Sequence, residues 1–172
     1  FTPGTVASQA LTLRDTKKVC CFLGLYPNGI ESMSMDIPGL VQTSCNLGIF
    51  KVNGSGLEGS GSVRSSIASR KQLLLRRIQL LTEALGGTLN ISGTYPAWEY
   101  RRESHLRDVM CKVYKDQYGQ DMKVEAIHAG LECGLFCGKI PGLDAVSFGP
   151  NLYDIHTVKE LSLIHISEPT RR

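Results

Sequence analysis

The 172-residue chain has no apolar run longer than a few positions, and crossing a bilayer takes roughly 20 such residues. No segment therefore reads as a transmembrane helix. Charge of one sign is also scarce. The chain carries 19 Lys and Arg against 16 Asp and Glu, a formal +3, which is too weak and dispersed to imply a nucleic-acid or anionic-membrane partner. Aromatic residues make up only 7%, with a single Trp, and none interleaves with the basic stretch of Arg70, Lys71, Arg76 and Arg77. Those cations read as a solvated helix face rather than a platform for single strands. Internal repeats, low-complexity segments and an initiator Met are absent, and Phe1-Thr2-Pro3 opens no basic region followed by an apolar one. No signal peptide is visible, and a chain truncated at its start is expected.

The composition is 42% hydrophobic and 20% charged, enough apolar material for one or two small cores. Six cysteines, Cys20, Cys21, Cys45, Cys111, Cys133 and Cys137, are irregularly spaced in apolar surroundings. That pattern favours free buried thiols in a reducing compartment over a disulfide frame. Cys133-x3-Cys137 has no second pair at zinc-finger spacing, so it makes a poor structural zinc site. The last stretch, 161–172 (LSLIHISEPTRR), closely resembles the translated end of a transposon-type sequencing-library adaptor. It is expected to be an artefact without selected packing partners.

Along the chain, Val6, Ala10, Leu13, Cys20 and Leu23 recur at helical spacing over 5–25, and Pro27-Asn28-Gly29 forces a turn. Residues 40–52 and 57–66 predict an antiparallel strand pair joined at Gly54-Ser55-Gly56. Ser69 is placed to cap a helix carrying Leu74, Ile78, Leu81 and Leu85, and Gly86-Gly87 ends it. With a further strand expected over 88–95, the first 95 residues suggest a ferredoxin-like α+β layer, an antiparallel sheet with helices. After Pro96 the texture changes. Leu106, Val109, Met110, Val113 and Tyr114 form a helical stripe, and 122–127 and 145–148 read as short apolar strands. Such strands alternating with helices predict α/β structure with a mostly parallel sheet, whose chemistry sits in loops at strand ends.

Three segments could carry chemistry. His156, in Asp154-Ile155-His156-Thr157 beyond Gly149-Pro150, lies where an imidazole can enter a site, although a lone loop histidine is more often solvated. The stretch from His128 to Phe136 holds Gly130, Glu132 and Gly134. It could let backbone approach a ligand, or it could be a turn into a helix with Glu132 favouring the dipole. Arg64, in Val63-Arg64-Ser65-Ser66 on an expected strand, could clamp a carboxylate with its planar fork, or it could be an ordinary surface arginine.

Taken together, these segments and their neighbours resemble the C-terminal portion of the aminoacyl-histidine dipeptidases. This Xaa-His or peptidase D branch belongs to the two-zinc exopeptidases that also include carnosinase and carboxypeptidase G. The resemblance runs through nearly all of 1–160. It includes Tyr26-Pro27-Asn28-Gly29, Thr43-Ser44-Cys45-Asn46-Leu47-Gly48, Val63-Arg64-Ser65, Tyr95-Pro96-Ala97-Trp98, Ile127-His128-Ala129-Gly130-Leu131-Glu132-Cys133-Gly134-Leu135-Phe136, and Ser147-Phe148-Gly149-Pro150 followed by His156-Thr157. Six blocks in the family's order are hard to obtain by chance.

The resemblance implies that 1–95 is the latter part of an inserted lid domain and 96–160 the C-terminal piece of an α/β metallopeptidase domain. It implies a cytoplasmic dipeptidase holding two Zn2+ per complete subunit, with Co2+ or Mn2+ as alternatives, and a homodimer formed through the lid. By motif position His156 would be a metal ligand, with Asp154 a candidate second-sphere acceptor. Arg64 would receive the substrate's C-terminal carboxylate, and Asn46, Glu132 and Gly134 would contribute to the substrate pocket. The remaining ligands and the glutamate base are expected upstream of Phe1, so no catalytic residue is assigned within the chain. Two departures bear on this. Ala97 stands where Gly is common, and Val158-Lys159 where Pro-Asp is frequent after the ligand histidine. The rival readings are an aminoacylase or deacetylase on the same scaffold and a non-catalytic, lid-like dimerisation module. The 128–136 block, peculiar to the dipeptidase branch, argues against the enzyme rival.

Overall fold

The computed structural model describes residues 10–54, 56–149, 152–155 and 157–162. The chain divides into two compact units: residues 1–102 with 123–141, and residues 103–122 with 142–172. In the first unit the element order is α1 (Leu13–Leu25), β1 (Gly29–Met33), β2 (Val41–Asn53), β3 (Gly56–Ser65), α2 (Ala68–Ala84) and α4 (Glu132–Lys139); the second holds α3 (His105–Tyr118), β4 (Leu152–Tyr153) and β5 (Leu161–Ser162). The cuts between the units fall after 102, 122 and 141.

The first unit is built on an antiparallel sheet of order β1-β2-β3. The β2–β3 hairpin turns tightly, with Asn53 opposite Gly56 and Asn53 Oδ1 accepting the Gly56 amide at 3.1 Å. Alternation along β2 sends Thr43 and Cys45 to the buried face and Ser44 and Asn46 to the other. Helix α2 supplies the opposing layer. Its Leu74 (2% exposed) and Ile78 (4%) pack with Cys45 (2%), and Tyr26, Val63 and Leu89 complete the cluster. A Schellman motif closes α2, as Gly86-Gly87 leads one to expect: the Gly87 amide reaches Thr82 O and the Gly86 amide reaches Glu83 O, both at 2.9 Å, with Gly86 at φ +83°. The start differs from the expectation. Ile67 occupies the N-cap without a side-chain bond, and Ser69 lies inside the helix. Ser65 shapes the entry instead, its Oγ accepting the Ile67 amide at 3.1 Å and donating to Ile67 O at 3.0 Å.

Helix α1 begins at Leu13, where Thr12 Oγ1 accepts the Asp15 amide and donates to the Asp15 carboxylate at 2.6 Å. Its Phe22 is buried against Tyr26 and Phe50, with ring centroids 5.2 and 5.9 Å away. Tyr26 in turn lies over Gly61, where an added Cβ would overlap the Tyr26 hydroxyl and stand 2.7 Å from Asn46 O. Neither backbone nor a ring held in the core can yield cheaply. Gly61→Ala is therefore expected to destabilise the fold by about 1–3 kcal/mol, to be read in urea denaturation of the chain. An unchanged midpoint would mean that Tyr26 does not occupy this position in solution.

Several expected strands do not form. Residues 88–95, 122–127 and 145–148 take no place in any ladder, and the described residues contain no parallel pair. β-branched composition reports a fit to a pleated, half-buried surface, and a strand exists only where another edge completes its hydrogen bonds. The third strand is β1, which opens at the Gly29 end of the expected turn and runs through residues for which no element was expected. It pairs from Gly29↔Cys45 to Met33↔Val41 with irregular register, and Arg77 to Glu31 at 2.7 Å ties it to α2. The predicted ferredoxin-like order is thus replaced by α-β-β-β-α over this part, while the α+β class and antiparallel sheet hold.

In the second unit Ser104 caps α3, accepting the Arg107 amide at 3.1 Å. Asp144 binds the Ser104 hydroxyl at 2.8 Å and the Leu106 amide at 3.0 Å. The predicted stripe of α3 is only partly covered, with Leu106, Val109 and Val113 all exposed. Leu161 and Ser162, the first residues of the supposed adaptor-derived tail, pair with Tyr153 and Leu152. Backbone ladders need no selected side chains, so this pairing is compatible with either origin. Residues 163–172 lie outside the described residues.

Candidate functional site

Arg64 sits on β3 directly opposite Ser44 on β2. Asn46 and its ladder partner Ser62 follow on the same face by alternation. This face is turned away from the core formed by Cys45 and α2, and both Arg64 and Asn46 are exposed. Two of the four residues expected to meet substrate therefore share one sheet face. Arg64 has no hydrogen bond or ion pair among the described residues. Its five donors are available as a fork for a carboxylate.

The 128–136 block reaches the same face. His128 Nε2 lies 2.7 Å from Ser44 Oγ, a bond spanning 84 residues of sequence. Burial lowers the proton affinity of His128 below the ordinary 6.5, and the nearby Arg64 guanidinium lowers it further. The imidazole is thus neutral at pH 7, beside an unpaired cation. Sequence reading selected neither Ser44 nor His128, although both stand inside the quoted blocks. The only available signal was that two separate blocks each held an uncommitted polar side chain.

This depression has a consequence for stability. The unfolded histidine binds a proton at about 6.5 and the folded one only at lower pH. The unfolded state therefore holds more protons in that window, and stability is lost as pH falls below 6.5. Melting temperatures of the chain at about pH 7.5 and about pH 5.5 are expected to differ more for the wild type than for His128→Gln, which cannot titrate. An identical pH dependence in both would remove His128 from this role.

Helix α4 follows four residues after His128, with Glu132 exposed in its first turn, the placement a helix dipole favours. Gly134 is buried: an added Cβ would stand 3.2 Å from Trp98 Cβ and 3.4 Å from Pro96 O, and at Gly138 the Pro96 ring would be 3.1 Å away. A Cβ added at Gly130 would stand 3.6 Å from the Tyr95 ring. The Tyr95-Pro96-Ala97-Trp98 block thus packs along glycines spaced by four on the 128–138 segment, so Gly134 serves close approach here.

None of the six cysteines forms a disulfide, but only Cys45 is buried; Cys20 is exposed and the others are intermediate. The expectation of buried thiols fails at the other five because they fall beside the packed stripes rather than on them. Burial pushes the Cys45 thiol up and raises the Tyr26 phenol as well; the two meet at 3.7 Å. No group of three or more His, Cys, Asp or Glu that could hold a metal ion occurs among the described residues. His156, the assigned ligand, lies outside them. Its neighbour Asp154 adopts φ +51°, and its carbonyl accepts Thr157 N at 3.1 Å and Thr157 Oγ1 at 2.8 Å.

No family profile matches the chain. Over 138 residues, 80% of its length, it is 31% identical to the cytosol non-specific dipeptidase of Escherichia coli (strain K12), covering 28% of that protein. The crystal structure of aminoacylhistidine dipeptidase from Vibrio alginolyticus superposes with a TM-score of 0.79 at 32% identity, over 90% of this chain and 32% of that one. The chain is thus a relative of the non-specific and aminoacylhistidine dipeptidases and spans about a third of their length or less.

Proposed function

We propose that the protein to which this chain belongs is a metal-dependent dipeptidase hydrolysing Xaa-His and other unblocked dipeptides, with Arg64 receiving the substrate's C-terminal carboxylate. The observation that carries this reading is the unpaired Arg64 fork on an exposed sheet face, opposite Ser44 and beside neutral His128, in a chain related to dipeptidases. A cation without a carboxylate partner is suited to a small anionic ligand, and an arginine fork matches a carboxylate plane. Asn46 is placed along the same face to add an amide. Glu132 and Gly134 are assigned to the pocket by motif, and His156 to the metal. Residues 1–95 then belong to a lid through which two subunits pair, 96–160 to the catalytic domain, and 161–172 to an adaptor-derived tail. A cytoplasmic location fits the relative's name, and no helix among the described residues is long and apolar enough to cross a membrane.

Zinc held in part by His156 would supply an activated water and polarise the scissile carbonyl. Among the described residues no group of three or more His, Cys, Asp or Glu could hold a metal ion; of the ligand set only His156 is assigned to this chain, and Arg64 and Asn46 bind and orient the substrate. The 172-residue chain alone is accordingly expected to hydrolyse no dipeptide, because one imidazole cannot hold a metal pair. Zinc-dependent cleavage by the purified chain, free of host peptidases, would contradict that. For the full-length protein, the deciding experiment compares free dipeptides, C-terminally amidated dipeptides and N-acetyl amino acids as substrates. Preference for free dipeptides supports the reading. Preference for the acetylated series would instead identify an aminoacylase, and hydrolysis of none would leave a non-catalytic module.

A further inference from the structure

We propose that Ser44 and His128 form the neutral half of the Arg64 site, donating one hydrogen bond to the same substrate carboxylate that the guanidinium binds. This rests on the dipeptidase reading and adds two residues that the motif-based assignment leaves out. Three observations carry it. Ser44 stands directly across the ladder from Arg64. The Ser44 hydroxyl and His128 Nε2 are 2.7 Å apart. Neither side chain has another hydrogen-bond partner among the described residues.

Counting protons gives the pair its chemistry. A neutral imidazole carries one N–H and serine one O–H, and their mutual bond consumes one of these hydrogens. If serine donates to Nε2, the remaining hydrogen is on Nδ1; if Nε2–H donates to serine, it is the hydroxyl hydrogen. Either tautomer leaves the pair with one unspent donor. A neutral donor suits this place, because a second cation beside Arg64 would be repelled when the site is empty. Arg64 on β3 is the charged group acting on the ring; its partner on β2 is the uncharged Ser44. The Ser44–His128 bond also fixes the start of the 128–131 loop against the sheet, so binding finds the two donors already oriented.

The test uses the full-length protein and variants Ser44→Ala, His128→Ala and His128→Gln, assayed on free and C-terminally amidated dipeptides. Loss of one hydrogen bond to a charged group costs about 10- to 100-fold in affinity. The alanine variants are expected to raise KM for free dipeptides by that order, with kcat within about twofold and amidated substrates unaffected. Ser44→Ala with His128→Ala together should be worse than either alone, since each single variant keeps one N–H or O–H, no longer oriented by the pair, and the double variant keeps none. His128→Gln should recover part of the loss by keeping an amide N–H. If His128→Ala unfolds, by circular dichroism, then Ser44→Ala, which removes one oxygen atom, must show the KM effect by itself. Equal changes on free and amidated substrates, or no change, would overturn the inference while wild-type turnover of free dipeptides upheld the dipeptidase reading. Absence of any wild-type dipeptide hydrolysis would overturn both.

Discussion

Replacing Arg64 with alanine in the full-length protein is expected to lower kcat/KM for free dipeptides by about 30- to 1,000-fold, equivalent to about 2–4 kcal/mol. The magnitude follows from leaving a substrate carboxylate without its guanidinium, an unpaired charge whose cost exceeds that of a lost neutral bond. Arg64→Lys should lose less, because lysine keeps the charge and forfeits only the bidentate fork. Arg64 is exposed on β3 and belongs to no core cluster, so neither substitution should alter the fold. C-terminally amidated dipeptides offer no anion. They should be poor substrates of the wild type and barely affected by the substitution. Steady-state kinetics on matched free and amidated pairs check this, and equal losses on both would place Arg64 outside the carboxylate site.

His156→Ala in the full-length protein should abolish hydrolysis altogether. On the proposed assignment His156 would be a metal ligand, and removing its nitrogen would leave an ion under-coordinated, so metal occupancy should fall from two toward one. His156→Gln should restore little rate, because an amide oxygen is a poorer zinc donor than imidazole. Metal content by atomic emission, far-ultraviolet circular dichroism and turnover of an Xaa-His dipeptide, taken together, decide the matter. An alanine variant with two zinc ions and near-normal turnover would make His156 an ordinary loop residue.

Local chemistry was legible where the signal and the structure share a length scale. The Leu74 and Ile78 stripe, the Gly86-Gly87 terminator and the alternation of β2 all report on the residue's own turn or strand, and each appears in the fold. Strand existence depends on a partner edge. Residues 88–95 carry Thr, Ile and Tyr and still form no ladder, while Gly29–Met33, opened by a turn signal, lies against β2. The helix cap of α2 was misplaced for a related reason: Ser65, two residues before Ile67, competes with Ser69 and has the geometry to win.

The site divides the same way. Arg64 and Asn46 could be selected by motif, and the hairpin register brings them to one face. Ser44 and His128 could not be paired in advance, because nothing local links positions 84 residues apart. Gly134, assigned to the pocket by motif, also lets Trp98 and Pro96 approach closely, a packing role that no local pattern announces.

The dipeptidase reading meets its most direct test in zinc titration of the metal-stripped full-length protein, with Xaa-His hydrolysis followed at each addition. Turnover should be absent without metal and rise to a plateau at about two zinc ions per subunit. Undiminished turnover after complete metal removal, or no turnover at any zinc level, would contradict it.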